Sequence, residues 1–174
     1  MPVSQSVLST YGSRASVRKS EEIAEAARSE GKQTAFLCHS HKDQALAKGV
    51  QAWLHEQGWA VYIDWDDAEM PSRPSRVTAQ KIQLKIVTLD WFLFLATQNS
   101  MTSRWCPWEI GFADGKKGPN KVVVIPTSNE HGTHGSEYMD LYRKVDSTTG
   151  GYFELFEPGR TAGGTRLSSI SRSF

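Results

Sequence analysis

Two short segments of the sequence concentrate residue types that take part in chemistry. The first, from Cys38 to Asp43, reads Cys-His-Ser-His-Lys-Asp. It lies between an apolar run and an amphipathic segment, which predicts a strand that leads into a helix N-terminus. Backbone N–H groups and the helix dipole favour an anion there, and His39, Ser40 and His41 add side-chain donors. We therefore expect these three residues to bind a phosphate or carboxylate of a substrate.

Other interpretations of this segment remain open. A polar turn with Asp43 as the helix N-cap requires no ligand. A thiol beside two imidazoles is also compatible with a metal site or a nucleophile, but this segment alone lacks the remaining ligands and an orienting group. His131 and His134 lie in a loop that contains glycine, and we interpret them as solvated. The sequence therefore predicts no metal site.

The second segment, 99–110, contains a tryptophan and a carboxylate at helical spacing. With Ser103 as N-cap, Trp105 and Glu109 lie on one face of a helix predicted to end at Ala113. A carboxylate beside an indole near a sheet edge would be partly desolvated, with a raised pKa suited to catalysis. The alternative is an amphipathic helix whose tryptophans are core residues and whose Glu109 is solvated.

The elements that position these two segments alternate between strand and helix. The predicted strands are 34–38, 59–64, 91–96, 121–125 and 151–156, and the predicted helices are 43–57, 78–86 and 103–113. This alternation predicts an α/β fold with a doubly wound parallel sheet and right-handed crossovers. Ligands in such sheets bind outside the carboxyl ends of the strands. Cys38 and Asp64 are the last residues of two of the predicted strands. The polar loop over 65–75 is long enough to suggest a role at this edge.

The composition indicates one globular domain. The chain has 174 residues, of which 39% are hydrophobic and 22% charged. Its net charge of +1 excludes a strong general attraction to nucleic acid or to an anionic membrane. We expect a flexible N-terminal arm over 1–19, an N-terminal helix over 20–33, the main domain over 34–157 and a flexible C-terminal tail over 158–174, because the arm and tail are rich in small polar residues.

The cellular compartment follows from what the sequence lacks. Cys38 and Cys106 do not make a disulfide framework. No apolar stretch approaches the ~18 residues of a membrane span, and the N-terminus has no secretory h-region. We therefore expect a cytoplasmic protein.

Four segments, in order and in register, resemble the Toll/interleukin-1 receptor (TIR) domain family over roughly residues 34–157. They are Phe36-Leu37-Cys38-His39-Ser40-His41-Lys42-Asp43, Val61-Tyr62-Ile63-Asp64, Ser103-Arg104-Trp105-Cys106-Pro107-Trp108-Glu109-Ile110 and Val122-Val123-Val124-Ile125-Pro126. The stretch 108–115 further resembles bacterial stand-alone TIR proteins, including those of Thoeris-type antiphage systems. The resemblance implies a flavodoxin-like sheet of five parallel strands flanked by helices.

The resemblance also implies a function. The Trp-x-x-x-Glu spacing is similar to that of TIR domains that cleave NAD+, in which the glutamate is catalytic; this role maps onto Glu109 and the tryptophan onto Trp105. We expect Asp64 and Trp65 to contact the substrate as well. The implied activity is that of an NAD+ glycohydrolase or ADP-ribosyl cyclase, with NAD+ as substrate and no cofactor. Its ADP-ribose-derived product would be sensed by a separate effector protein in antiphage immunity, and TIR self-assembly is a further expectation.

Two other functions remain open. A non-catalytic TIR adaptor would act by association between TIR domains. A phospho-receiver of flavodoxin-like fold would need an acidic pair after the first strand, for which Cys38 and His39 are a poor substitute. The joint presence of Trp105 and Glu109 favours the enzyme.

Overall fold

The computed structural model describes residues 1–14, 30–68, 70, 75–148 and 152–170. The strands are β1 (Val3–Ser4), β2 (Gln33–Cys38), β3 (Trp59–Tyr62), β4 (Trp91–Ala96), β5 (Val122–Asn129), β6 (Gly132–His134), β7 (Arg143–Ser147), β8 (Phe153–Phe156) and β9 (Thr165–Arg166). The helices are α1 (Gln5–Arg14), α2 (Gln44–Glu56), α3 (Arg76–Thr88), α4 (Gln98–Met101) and α5 (Cys106–Lys117). The three long predicted helices are thus present as α2, α3 and α5, with shifted ends.

The sheet confirms the predicted α/β, flavodoxin-like architecture. Five strands run parallel in the order β3-β2-β4-β5-β7. The antiparallel strands β8 and β9 extend the sheet beyond β7, and β1 and β6 pair with the last residues of β5. The carboxyl ends of β2, β3 and β4 therefore lie side by side at one edge, where ligands bind in such folds.

The fifth parallel strand is not the segment expected. The sequence predicted it at 151–156, but that segment supplies β8, which runs antiparallel to β7. The strand parallel to β5 is β7, with the sequence Arg-Lys-Val-Asp-Ser. Its only apolar residue is Val145, so it lacks the continuous apolar run by which buried parallel strands are recognised. Its buried Lys144 is 3.9 Å from the carboxylate of Asp146.

Alternating residues of the central strands divide the core into two layers. Leu37 and Leu93 face α1 and α2, where they pack with Trp53. Phe36 and Phe92 stack at a centroid distance of 5.8 Å on the other face, beneath α3 and α5. Helices cover both faces, which explains why these strands read as continuous apolar runs.

The expected flexible arm over 1–19 is wrong where the structure describes it. β1 pairs with β5, and α1 packs along α2 with Leu8 almost fully buried. Gly49 permits this close approach, since a Cβ there would lie 2.0 Å from the carbonyl oxygen of Leu8. The contact depends on a small residue of a distant helix, which the Ser-rich composition of the arm does not reveal. The predicted helix over 20–33 falls mainly on 15–29, outside the described residues.

The expected flexible tail over 158–174 is also wrong over 158–170. These residues form β9 and a 3-10 turn, Leu167–Ser169. Leu167 is 2% exposed, and its carbonyl accepts a hydrogen bond of 3.0 Å from the indole N–H of Trp59. One apolar side chain is too weak a signal to predict this anchor from composition. In the described part of the chain, no helix combines the length and apolar character needed to cross a membrane.

Candidate active site

A pocket of about 350 Å³ opens at the carboxyl ends of β2 and β3, beside the start of α5. Six of the seven residues predicted to form the site line it. They are His39, His41, Asp64, Trp65, Trp105 and Glu109. Residues that the sequence did not single out for the site complete the lining, among them Met70 after β3 and Thr78 and Ile82 of α3. The inward position of Ile82 was predicted from helical spacing, but no sequence signal connected α3 with the site.

Ser40, the seventh predicted residue, is not part of the pocket lining. Its hydroxyl accepts a hydrogen bond of 3.3 Å from the backbone N–H of Lys42, which caps the 3-10 turn His41–Asp43. This capping bond occupies the hydroxyl away from the pocket, so the expectation that Ser40 contacts the substrate is not supported by its position.

The α5 wall of the pocket consists of Ser103, Trp105 and Glu109. α5 begins at Cys106, three residues later than predicted, yet the hydroxyl of Ser103 accepts hydrogen bonds from the backbone N–H groups of Trp105 and Cys106, at 3.2 and 3.4 Å. The N–H of Glu109 in turn donates to the carbonyl of Trp105 at 3.0 Å. The predicted arrangement of Trp105 and Glu109 one turn apart, on the same side, is therefore present.

Glu109 is 6% exposed although it lines the pocket. Burial raises its pKa well above the ordinary value of 4.5; a hydrogen bond with Cys38 opposes the shift, while Cys106 and Asp64 add to it. No cationic side chain of the described residues contributes to this shift. The alternative of a solvated Glu109 is therefore wrong. A positively charged ligand group would find here a carboxylate with little competing solvation.

The polar wall of the pocket consists of His39, His41, Asp64 and Trp65. The Asp64 carboxylate lies 3.5 Å from Nε2 of His41 and 4.0 Å from Nε2 of His39. Although burial opposes ionisation, the hydrogen bond with His41 and the backbone N–H of Trp65 hold the pKa of Asp64 below its ordinary value of 3.8. The hydrogen bond with Asp64 raises the pKa of His41, whose side chain is 72% exposed. The rim of the pocket thus carries an anion and an exposed imidazole that is readily protonated.

His39 differs from the expectation that it adds a donor for a substrate. Its Nδ1 is 3.0 Å from the carbonyl of Leu37, and its Nε2 accepts a hydrogen bond of 2.7 Å from the indole N–H of Trp65. Both ring nitrogens are therefore occupied within the protein. Burial lowers the pKa of His39, which favours the neutral ring that this pattern requires.

Asp43 ties the two walls together. The sequence suggested that Asp43 caps α2, but its side chain makes no cap hydrogen bond there. Instead the hydroxyl of Thr97 donates to its Oδ2 at 2.5 Å, and the amide of Asn99 donates to its Oδ1 at 2.7 Å. These two hydrogen bonds join the turn after β2 to the segment after β4, from which the chain continues into the α5 wall.

The two cysteines lie beside Glu109 and are free and buried. Burial raises the pKa of Cys38, so its thiol is not activated as a nucleophile. A hydrogen bond from Cys38 lowers the pKa of Cys106. Among the described residues, no three His, Cys, Asp or Glu side chains are grouped so as to hold a metal ion.

Comparison with known proteins agrees with the resemblance drawn from the motifs. The chain matches the TIR domain family model over residues 35–154. It is 33% identical over 119 residues to the probable 3' cyclic ADP-D-ribose synthase ThsB' of Bacillus cereus (strain MSX-D12). The aligned part covers 66% of this chain and 61% of that protein, so the chain spans about three fifths of its relative. With its five parallel strands and the matched segment, the chain belongs to the TIR domain family.

Proposed function

We propose that this protein cleaves the bond between nicotinamide and ribose in NAD+ and joins the ADP-ribosyl group to one of its own hydroxyls. The products are nicotinamide, a cyclic ADP-ribose and a proton. The observation that carries the proposal is Glu109, a carboxylate buried in a pocket at the ligand-binding edge of the sheet, one turn from Trp105. The name of the Bacillus cereus relative supports cyclisation over simple hydrolysis.

One carboxylate is enough for this reaction. Glycoside hydrolases generally use a second carboxylic acid to protonate the leaving oxygen. Nicotinamide instead leaves from a pyridinium nitrogen, which takes both electrons of the broken bond and becomes neutral without a proton. The positive charge then moves to the ribosyl C1'. The carboxylate of Glu109 stabilises this charge, and its dry surroundings strengthen the interaction.

The remaining pocket residues bind and orient the substrate. Trp105 offers an aromatic face to the cationic nicotinamide ring. The positive charge of that ring favours the ionised form of Glu109, which burial opposes in the empty pocket. His41 and the backbone N–H groups at the start of the 41–56 helical segment suit the diphosphate. Asp64 holds the imidazole of His41 at this rim.

The wider biological role is proposed from the motifs and the relative. NAD+ is consumed as a substrate, and the reaction requires no added cofactor. The cyclic product acts as a signal that a separate effector protein senses in antiphage defence within the bacterial cytoplasm. Association between TIR domains contributes to activation.

The test is mass spectrometry of NAD+ incubated with the purified protein at high concentration. We expect nicotinamide and a product one water lighter than ADP-ribose. Glu109→Ala should reduce nicotinamide release at least about 100-fold, whereas Glu130→Ala should not, because Glu130 is exposed and lies outside the pocket.

Other outcomes separate the alternatives. ADP-ribose as the product would replace the cyclase by a hydrolase. No release of nicotinamide by the wild-type protein, even after forced assembly, would favour the non-catalytic adaptor. Full activity of Glu109→Ala would overturn the assignment of the catalytic residue.

A further inference from the structure

We propose that His39 is a positioning residue, which fixes the indole of Trp65 as an aromatic wall against which a planar base of the substrate stacks. The inference deepens the proposed function and rests on it for the identity of the substrate. It assigns His39 a role through Trp65 rather than through direct contact with phosphate.

The two hydrogen bonds of His39 define its tautomer. An indole N–H can only donate, so Nε2 of His39 must carry a lone pair to accept the 2.7 Å bond from Trp65. Nδ1 then carries the proton and donates to the carbonyl of Leu37 at 3.0 Å. Because Leu37 belongs to the central strand β2, the imidazole connects Trp65 to one of the most constrained parts of the sheet.

Trp65 needs such a connection because its own segment is short. It lies in the three-residue 3-10 turn Asp64–Asp66. A second contact comes from α2, where Nζ of Lys48 lies 5.4 Å from the indole centroid and 2.7 Å from the carboxylate of Asp66. The indole is therefore held by β2 on one side and by α2 on another.

The charged groups around His39 make this connection sensitive to pH. Oδ1 of Asp64 lies 4.0 Å from Nε2, the ring of His41 stacks at a centroid distance of 6.2 Å, and Asp43 adds a more distant negative charge. Protonation of Nε2 would remove the acceptor of the indole N–H. Burial opposes this protonation and keeps the acceptor available at neutral pH.

The indole of Trp65 is thus an aromatic surface of the pocket that the protein orients before a ligand binds. Trp65 and Trp105 both line the pocket, so each of the two bases of a dinucleotide can meet an indole. Ordering of Trp65 before binding lowers the entropic cost of stacking. Loss of the hydrogen bond should therefore weaken binding and leave the chemical step nearly unchanged.

The hydrogen bond is tested first, without substrate, by NMR of the indole N–H groups. The chain has six tryptophans, and Trp65→Phe identifies the resonance of Trp65. We expect this resonance to be shifted downfield in the wild type and in His39→Gln, whose side chain supplies both an acceptor and a donor. It should move upfield in His39→Leu. A Trp65 resonance unaffected by His39→Leu would overturn the inference while leaving the proposed function intact.

The role in binding is tested by the kinetics of nicotinamide release. His39→Leu and Trp65→Phe should each raise KM about tenfold with kcat changed less than twofold, and the double variant should raise it no further. We expect KM of the wild type to rise at acid pH as His39 is protonated, whereas His39→Gln should keep a near wild-type KM without this rise. A hundredfold rise in the double variant, or equal KM in His39→Gln and His39→Leu, would overturn the positioning role.

Discussion

The two walls of the pocket each carry one carboxylate, and their surroundings shift the two pKa values in opposite directions. Asp64 in the polar wall is met by His41 and by the backbone N–H of Trp65, so its pKa is held low despite burial. Burial raises the pKa of Glu109 in the α5 wall, and its hydrogen bond with the Cys38 thiol only opposes this shift. The contrast arises from the partners and not from depth, because Asp64 and Glu109 are similarly buried.

This difference indicates that the two carboxylates have different roles in the pocket. Pairs of acids whose environments separate their pKa values commonly serve different roles in one active site. The charge of Asp64 is met by His41 at one of its two oxygens, so Asp64 is suited to hold His41 at the rim. The charge of Glu109 is not satisfied, so a cationic group that enters the pocket gains most from it.

The largest expected effect comes from removing each charge in turn. Glu109→Gln and Asp64→Asn both replace an acid by an amide of nearly equal size. We expect Glu109→Gln to lower kcat for nicotinamide release at least about 100-fold, and Asp64→Asn to act mainly on KM, by about tenfold. Steady-state kinetics on the two variants measures this contrast. Equal losses of kcat would show that the walls do not differ in the way described.

The next largest effect concerns the bridge between the walls. Asp43→Asn should lower the free energy of unfolding by about 2–3 kcal/mol, because an amide has one acceptor oxygen for the two donors Thr97 and Asn99, whereas the carboxylate has two. The exchange Asp43→Asn with Asn99→Asp restores a donor opposite an acceptor and leaves Thr97 able to donate. Denaturant unfolding should recover most of the loss in this double variant, and nicotinamide release should recover with it. Additive losses would contradict the bridge.

The smallest expected effect is on the free energy of unfolding, which Glu109→Gln and Asp64→Asn should change in opposite directions at pH 8. The raised pKa of Glu109 means that its ionisation above about pH 4.5 costs stability, so Glu109→Gln should stabilise the protein at pH 8 and have little effect at pH 4. The lowered pKa of Asp64 means that it contributes stability above about pH 3.8, which is lost as the pH falls through the folded-state value. Asp64→Asn should therefore destabilise at pH 8.

The sign of each stability change follows from the direction of the corresponding pKa shift. Thermal unfolding of both variants at the two pH values provides the measurement. Changes of the same sign at pH 8 would contradict the opposite environments of the two acids.

Much of the pocket could be predicted because it depends on local patterns. Apolar runs that alternate with amphipathic segments define a parallel sheet, and its topology brings the carboxyl ends of β2, β3 and β4 to one edge. Residues that directly follow those strands, such as His41 and Asp64, therefore meet although they are distant in sequence. The four-residue spacing placed Trp105 and Glu109 together because it corresponds to about one helical turn.

The rest depends on contacts between distant segments, for which single-sequence patterns carry no signal. The anchor between Trp59 and Leu167 joins residues 108 positions apart. The bridge from Asp43 to Asn99 spans 56 positions. From the sequence alone, an Asp at the end of a histidine-rich turn is equally typical of a helix N-cap. His39 was expected to face a ligand because it lies between a strand and a helix N-terminus, and its bonds to Trp65 and to the carbonyl of Leu37 show that both its nitrogens are used.

The opposite pKa shifts of Glu109 and Asp64 are tested most directly by a carbon-13 NMR titration of the side-chain carboxyl groups. The resonance that disappears in Glu109→Gln identifies one group, and the resonance that disappears in Asp64→Asn identifies the other. The predicted result is a Glu109 carboxyl that titrates well above 4.5 and an Asp64 carboxyl that titrates below 3.8. Titration of both groups at their ordinary values, or in the reverse order, would contradict the division of roles between the two walls.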